Sequence, residues 1–226
     1  MRSDKGNVDF EALFFREVKN WGIGLDEGQF TTLRQFWQLL EKWNRRINLV
    51  SVKNERDFFL LHLLDALSPL PFLPTHDFSL IDLGTGAGLP GIPLKIMRPE
   101  IDLTLLDASR RRTSFLREVR RQLFLSRVTV INDRAENVTI ENDKKKYDVV
   151  VSRATWKLPK YLDLAGRFLA PGGMLIALKG QIPGEEWSEA MKLLEIKEFF
   201  LEKDVEVILP DASRRRRVLI FKKQVI

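Results

Sequence analysis

The sequence predicts an α/β fold: a mostly parallel sheet of seven strands, helices on both faces, and a helical cap ahead of it. Three observations predict it. Residues 80–107 read as a buried strand, a glycine-rich turn, a short helix and a second strand closed by a carboxylate, Asp107. Downstream, apolar runs of strand length alternate with helical segments, the pattern of a parallel sheet covered on both sides. Upstream, residues 1–75 carry helical periodicity alone.

In the cap, Phe10, Leu13, Phe14 and Val18 recur at helix spacing, as do Phe30, Leu33, Phe36, Trp37, Leu40 and Trp43. Phe58, Leu61, Leu64 and Asp65 lie on a third segment, ended by Pro69 and Pro71. The 15 Phe and 5 Trp of the chain mostly follow such apolar faces, so they are read as core rather than as stacking platforms. No Gly/Ser-rich linker follows the cap. Residues 1–226 are therefore expected to form one domain, with 1–75 as cap and 76–226 as a Rossmann-like core.

Within the core, Pro90, Pro93 and Pro99 confine the first helix to about two turns. The run 101–106 is the second strand, and Phe115, Leu116, Val119 and Leu123 form the buried stripe of the helix after it. Strands follow at 127–132 and 147–152, then a helix at 158–170. Pro171-Gly172-Gly173 is expected to turn the chain into a fifth strand at 174–179, with a helix at 185–194. Strands at 197–209 and 217–222, joined by Pro210-Asp211-Ala212-Ser213, are close enough to form a closing hairpin.

The glycine turn carries the chemistry. Gly84, Gly86 and Gly88 sit two apart with Asp82 just ahead. Gly86-x-Gly88-x-x-Gly91 does satisfy the dinucleotide spacing. Two features oppose that use: the helix is short, and Asp82 would set an anion beside a pyrophosphate. The same carboxylate suits S-adenosyl-L-methionine, whose methionine end carries an ammonium and whose sulfur is a cation. Asp107, about 20 residues past the loop, is placed to accept hydrogen bonds from ribose hydroxyls, or simply to cap the next helix. The expected architecture is thus the class I S-adenosylmethionine-dependent methyltransferase fold. Its ligands belong outside the carboxyl ends of the strands, where Gly84, Gly86, Asp107 and residues 133–136 and 152–154 fall.

Composition narrows the rest. The chain has no cysteine and two histidines, His62 and His76, which leaves no thiolate or histidine-rich metal site. No apolar leader or spanning run appears, so a cytoplasmic protein without a membrane partner is expected. The net charge is +6. Arg110, Arg111, Arg112, Arg117, Arg120, Arg121 and Arg127 follow Asp107, with Glu118 as the one acid among them, and Arg214–Arg217 make a second run. Such runs are often plain solvated faces; beside a cofactor turn they favour a nucleic-acid substrate.

Several of these pieces carry a family resemblance. They are Trp43-Asn44-x-x-Ile47-Asn48-Leu49, His62-x-x-Asp65-Ala66-Leu67, residues 82–93, Leu106-Asp107 with Arg112-x-x-Phe115-Leu116, Arg134-Ala135-Glu136, Ser152-Arg153-Ala154, and Pro171-Gly172-Gly173 with Lys179-Gly180. With them the chain resembles the ribosomal RNA small subunit methyltransferase G family, also called glucose-inhibited division protein B. Those bacterial enzymes methylate N7 of a guanine in the 530 loop of 16S rRNA. The departures are small: Ala66 stands where Ser is common, and Arg112 where Lys-Arg is common.

The resemblance implies that Gly84, Leu89, Ala135, Glu136 and Arg153 contact S-adenosylmethionine. It also implies 16S rRNA or the small subunit, as an assembly intermediate, for a partner; a monomer is expected. Each residue has a plainer role beside that one: packing for Leu89, a loop acid for Glu136, an ion pair for Arg153. Arg153 is nevertheless the residue expected to position cofactor and substrate. Ser152-Arg153-Ala154 lacks the acceptors that amino-group methyltransferases offer at this point. Guanine N7 has a free lone pair and no proton to lose, so it suits this site better than an amino nitrogen. The competing readings are a methyltransferase of another RNA, a small molecule or a protein, an NAD-dependent oxidoreductase, and an RNA-binding protein with a vestigial cofactor fold.

Overall fold

The structure, a computed structural model, describes residues 5–138, 146–210 and 215–223. α1 (Lys5–Asn20) and α2 (Glu27–Ile47) form over the first two periodic stretches. α2 starts at a reciprocal cap. Asp26 accepts from the Gln29 N–H at 2.7 Å, and the Gln29 carboxamide accepts from the Asp26 N–H at 3.1 Å. It ends at Asn48, whose backbone is left-handed (φ 37°). The Asn44 carboxamide fixes that exit by accepting from the N–H groups of Leu49 (2.5 Å) and Val50 (3.0 Å).

The third cap segment is not one regular helix. α3 (Glu55–Asp57) passes into a π-helical turn, Phe58–Leu63, then α4 (Leu64–Leu67) and a 3₁₀ turn, Leu70–Phe72. The π turn widens the register by a residue. Phe58, Phe59, Leu60, Leu63 and Leu64 are therefore all buried, while Leu61, expected on the core face, is only partly so.

The remaining elements are β1 (Ser79–Leu83), α5 (Gly91–Met97), β2 (Asp102–Asp107), α6 (Arg110–Gln122), β3 (Val128–Asn132), β4 (Tyr147–Arg153), α7 (Leu158–Ala165), β5 (Leu169–Lys179), α8 (Gly184–Ile196), β6 (Phe199–Ile208) and β7 (Arg215–Lys223). Among the described residues the sheet has seven strands in the order β3-β2-β1-β4-β5-β7-β6. β7 runs antiparallel to β5 and β6, and the other pairs are parallel. The pairs Leu83↔Leu106, Asp107↔Asn132, Arg153↔Leu178 and Lys179↔Arg217 bring the carboxyl ends of β1 to β5 to one edge.

Strand side chains alternate between two cores. Leu80, Leu103, Leu105, Val149 and Val151 pack with the cap, α5 and α6; Ile81, Leu83, Leu106 and Val150 pack with α7 and α8. Phe115 of α6 meets Phe36 and Trp43 of the cap at ring distances of 6.4 and 5.7 Å, which ties the cap to the sheet.

α7 ends at Ala165, five residues before the expected end of its helix. Phe168 accepts from the Tyr147 N–H at 2.8 Å, and Leu169 already pairs with Tyr147. Burial of Phe168 and Leu169 against the sheet outweighs the local helical pattern. Pro171-Gly172-Gly173 is then an irregularity inside β5, between the Leu169 and Met174 pairings, rather than the turn into it.

Candidate active site

β1 and β4 are neighbours, but the chain leaving them goes to opposite faces, α5 to one and α7 to the other. Open α/β sheets hold ligands at such a switch point. A cleft of about 320 Å³ lies here, lined by Gly84, Asp107, Ala135 and Glu136, together with Arg112, Thr155, Trp156 and Lys160.

Of the glycine loop, Gly84 reaches the cleft and Gly86 braces its wall. Gly84 has φ +65°, and a Cβ there would come within 2.5 Å of Thr155 Cγ2. Gly86 donates its N–H to Asp107 Oδ2 at 2.9 Å. The other Asp107 oxygen accepts from the Ser109 N–H at 2.8 Å, and Arg112 Nη1 lies 3.5 Å from Oδ2. Asp107 thus braces the turn into α6, as its plainer reading expects. It is only 4 % exposed, yet each of its oxygens retains acceptor capacity.

Glu136 stands at the rim. Its own backbone N–H, then Lys160 at 3.0 Å, hold its carboxylate below the usual range. Leu89, 2 % exposed, is buried in the core behind the loop and does not line the cleft.

Asp82 does not face the cleft either. It is wholly buried; Oδ2 accepts from the Thr85 hydroxyl at 2.6 Å and the Gly91 N–H at 2.8 Å, while Oδ1 has no hydrogen-bond partner. The residue ties the loop to the start of α5. Burial pushes its pKa from 3.8 up to about 7, against the pull of Thr85, Gly91 and Arg153. Between those two values the folded chain holds a proton that the unfolded chain has lost, so stability falls as pH rises through that window. The loss amounts to about 4 kcal/mol at roughly 1.36 kcal/mol per pKa unit. Asp82→Asn can keep its oxygen on Thr85 and Gly91 and set its NH2 where Oδ1 lacks a donor. Its thermal midpoint is expected to match the parent near about pH 4 and exceed it above about pH 7. Parallel midpoint profiles for the two proteins would show that Asp82 is not the titrating group.

Arg153 ends β4 and forms an ion pair, the plainer of its two readings. Its Nη1 donates to Asp65 Oδ2 at 3.4 Å; Asp65, on α4, is 2 % exposed. Arg216 Nε of β7 lies 3.8 Å from the other Asp65 oxygen and has no hydrogen-bond partner. Desolvation raises the pKa of Asp65 even against the attraction of both guanidiniums.

The second basic run is largely engaged within the chain. Arg216 turns inward, Arg215 lies 3.2 Å from Glu206, and Arg217 donates to Asp204 at 2.9 Å and covers the Trp187 ring at 4.6 Å. Arg214 lies outside the described residues. The α6 run differs: Arg110, Arg111, Arg117, Arg120 and Arg121 are exposed.

A family model described as rRNA small subunit methyltransferase G matches residues 29–215. A relative from Acetivibrio thermocellus, named Ribosomal RNA small subunit methyltransferase G, is 35% identical over 97% of this chain and 91% of its own length. One of the same name from Escherichia fergusonii is 37% identical over 91% of this chain and 94% of its own. The chain belongs to the rRNA small subunit methyltransferase G family. Among solved structures, a methyltransferase from Pyrococcus furiosus superposes with a TM-score of 0.58 at 13% identity, over 85% of this chain and 98% of that one. A precorrin-6y C5,15-methyltransferase from Geobacter metallireducens gives 0.54 at 16%, over 79% and 96%. These likenesses concern the fold, and the fold is the expected α/β Rossmann-like methyltransferase fold.

In this methyltransferase G family member, Thr155, Trp156 and Lys160 line the cleft although sequence reasoning did not single them out. The available signal was their place just past the carboxyl end of β4. Lys179 donates to the Trp156 carbonyl and lies 3.6 Å from Glu186, which accepts from the Leu158 N–H at 2.7 Å, so this trio fixes the Trp156 backbone. Among the described residues no group of three or more His, Cys, Asp or Glu could hold a metal, and no helix is long and apolar enough to cross a membrane.

Proposed function

We propose that this rRNA methyltransferase transfers the methyl group of S-adenosyl-L-methionine to N7 of a guanine in the 530 loop of 16S rRNA. Its partner is the small subunit or an assembly intermediate of it, in the cytoplasm. The chain acts as a monomer, with cap and core working as one domain. The observation that carries the reading is the meeting of Gly84, Asp107, Ala135 and Glu136 around one cleft at the switch point of the sheet.

The residues fit that cofactor. Gly84 lines the cleft beside Thr155, and its missing Cβ, which would lie 2.5 Å from Thr155 Cγ2, lets that side chain sit against the loop and keeps the backbone exposed to the cleft. Gly86 holds Asp107 in place, and the remaining acceptor capacity of Asp107 suits two ribose hydroxyls. Ala135 and Glu136 supply a backbone and a carboxylate to the adenine edge, and Leu89 supports the loop from behind. When bound, the cofactor would supply a sulfonium-activated methyl group; the N7 lone pair would bond to its carbon as the carbon–sulfur bond breaks, S-adenosylhomocysteine would leave with that electron pair, and no proton need depart. The chain then needs to align rather than to act as a base, and alignment is worth roughly 7–11 kcal/mol when geometry is near-attack. Arg153, held by Asp65, is the positioning residue at the end of β4.

Incubating the protein and labelled S-adenosylmethionine with 16S rRNA from cells lacking it, then mapping N7-methylguanine by borohydride–aniline cleavage, tests this. A single new scission in the 530 loop is expected. Label on another base, or none on any form of the subunit, overturns the reading.

A further inference from the structure

α6 begins beside Asp107 and runs 13 residues away from the cleft, about 20 Å at 1.5 Å per residue. Arg110, Ser114, Arg117 and Arg121, at helical spacing, share one exposed face. Among the described residues neither Arg110 nor Arg117 has an acidic partner, whereas Arg121 pairs with Glu118 at 2.8 Å. Just past the helix, Phe124 stands 91 % exposed with φ +50°, a conformation bulky residues rarely adopt. The turn that presents it is braced: the Leu125 N–H donates to the Arg120 carbonyl at 3.0 Å, and Arg120 Nη1 donates to the Val128 carbonyl at 3.1 Å.

A second cleft of about 320 Å³ opens between α2 and the end of α6, lined by Gln35, Gln38, Leu39, Lys42, Gln122 and Leu123, the last of these the residue directly before Phe124 in the chain. Gln122 donates to Glu118. The carboxamides of Gln35 and Gln38 make no hydrogen bond among the described residues, which leaves donors and acceptors for the edge of a base.

We propose that this cleft and Phe124 form a second RNA site, taking an unpaired nucleotide of the substrate about 20 Å from the methyl-accepting guanine. The base stacks on the Phe124 ring and meets Gln35 and Gln38, while its phosphates face Lys42 and the α6 arginines. The nucleotide must be unpaired, because only a splayed base offers both face and edge to a protein. Charge argues for RNA rather than an apolar protein segment: Glu118 is the sole acid on α6, and exposed arginines lead to the ring. The inference rests on the rRNA reading above and adds an anchor to it.

Equilibrium binding of a 16S rRNA fragment containing the 530 loop, across a salt series, tests it. Phe124→Ala should weaken binding about 5- to 150-fold at every salt concentration, and Phe124→Trp should restore it. Arg117→Gln with Arg121→Gln should instead flatten the salt slope by about 0.7 per arginine. For Phe124→Ala, KM for RNA should rise while kcat at saturating RNA and affinity for S-adenosylmethionine stay unchanged. Unaltered RNA affinity in Phe124→Ala overturns the second site. So does a loss seen only with the assembled subunit and not with naked rRNA, which would assign the ring to a ribosomal protein. Failure of the unmodified protein to bind or methylate the fragment, full-length 16S rRNA and the small subunit alike overturns the rRNA reading itself.

Discussion

Gly84→Asp is expected to eliminate binding of S-adenosylmethionine while leaving the chain folded. The residue sits at φ +65°, where a side chain costs about 1–3 kcal/mol of strain. The new Cβ would also lie 2.5 Å from Thr155 Cγ2 and 2.9 Å from its hydroxyl, so Thr155 must move. Thr155 and Trp156 line the same cleft. Displacing them, and adding a carboxylate, removes the space in which the proposed cofactor would lie. Ligand at about 100 times its dissociation constant should raise the stability of the parent by about 2.7 kcal/mol, and that thermal shift should vanish in the variant. Gly172→Ala is the control. Gly172 also has positive φ, +73°, but a Cβ there meets nothing within 4 Å and the residue is far from the loop in β5. That variant should be less stable and still show the full ligand shift. A ligand shift retained by Gly84→Asp would remove the cofactor from this cleft.

The central strands were legible because they are buried on both faces and carry apolar runs, such as Val149-Val150-Val151 of β4, between turn signals. The cap was legible as helix but not in its register. A π turn at Phe58–Leu63 leaves no mark that separates it from an α-helical repeat, so α-helical spacing points Leu61 at the core where the structure buries Phe59 and Leu60. The end of α7 is hidden for a related reason: Phe168 and Leu169 fit a helical face, and their pairing with Tyr147 pulls them into the sheet. At the cleft, Gly84, Asp107, Ala135 and Glu136 were found together because each follows a strand end, and strand ends meet in a parallel sheet. The surroundings of Asp82 differ from those its place in the sequence suggests. The sequence shows a carboxylate ahead of a turn, but not that Thr85 and Gly91 fold over it and exclude water.

Least legible of all was the meeting of Asp65 with Arg153 and Arg216, since Asp65 and Arg153 are 88 residues apart and lie on cap and core. Asp65→Asn is expected to be among the most damaging isosteric changes to the fold. Guanidiniums do not deprotonate in proteins. Without the carboxylate two positive groups would share a largely buried site, and removing one partner of a buried pair costs about 3–5 kcal/mol. The existing contacts are long, 3.4 and 3.8 Å, and burial already works against the Asp65 charge, which places the expected loss at the lower end of that range. Adding Arg216→Met should recover part of it, because that change removes the guanidinium whose Nε has no hydrogen-bond partner. The recovery, read from denaturant unfolding of the four proteins in the cycle, should exceed about 1 kcal/mol of coupling. Methyl transfer should not recover with it: in the double variant Arg153 still lacks the carboxylate that sets its direction at the end of β4. Additive free energies would show that the three groups do not act as a unit, and transfer restored along with stability would limit Asp65 to holding the cap on the core.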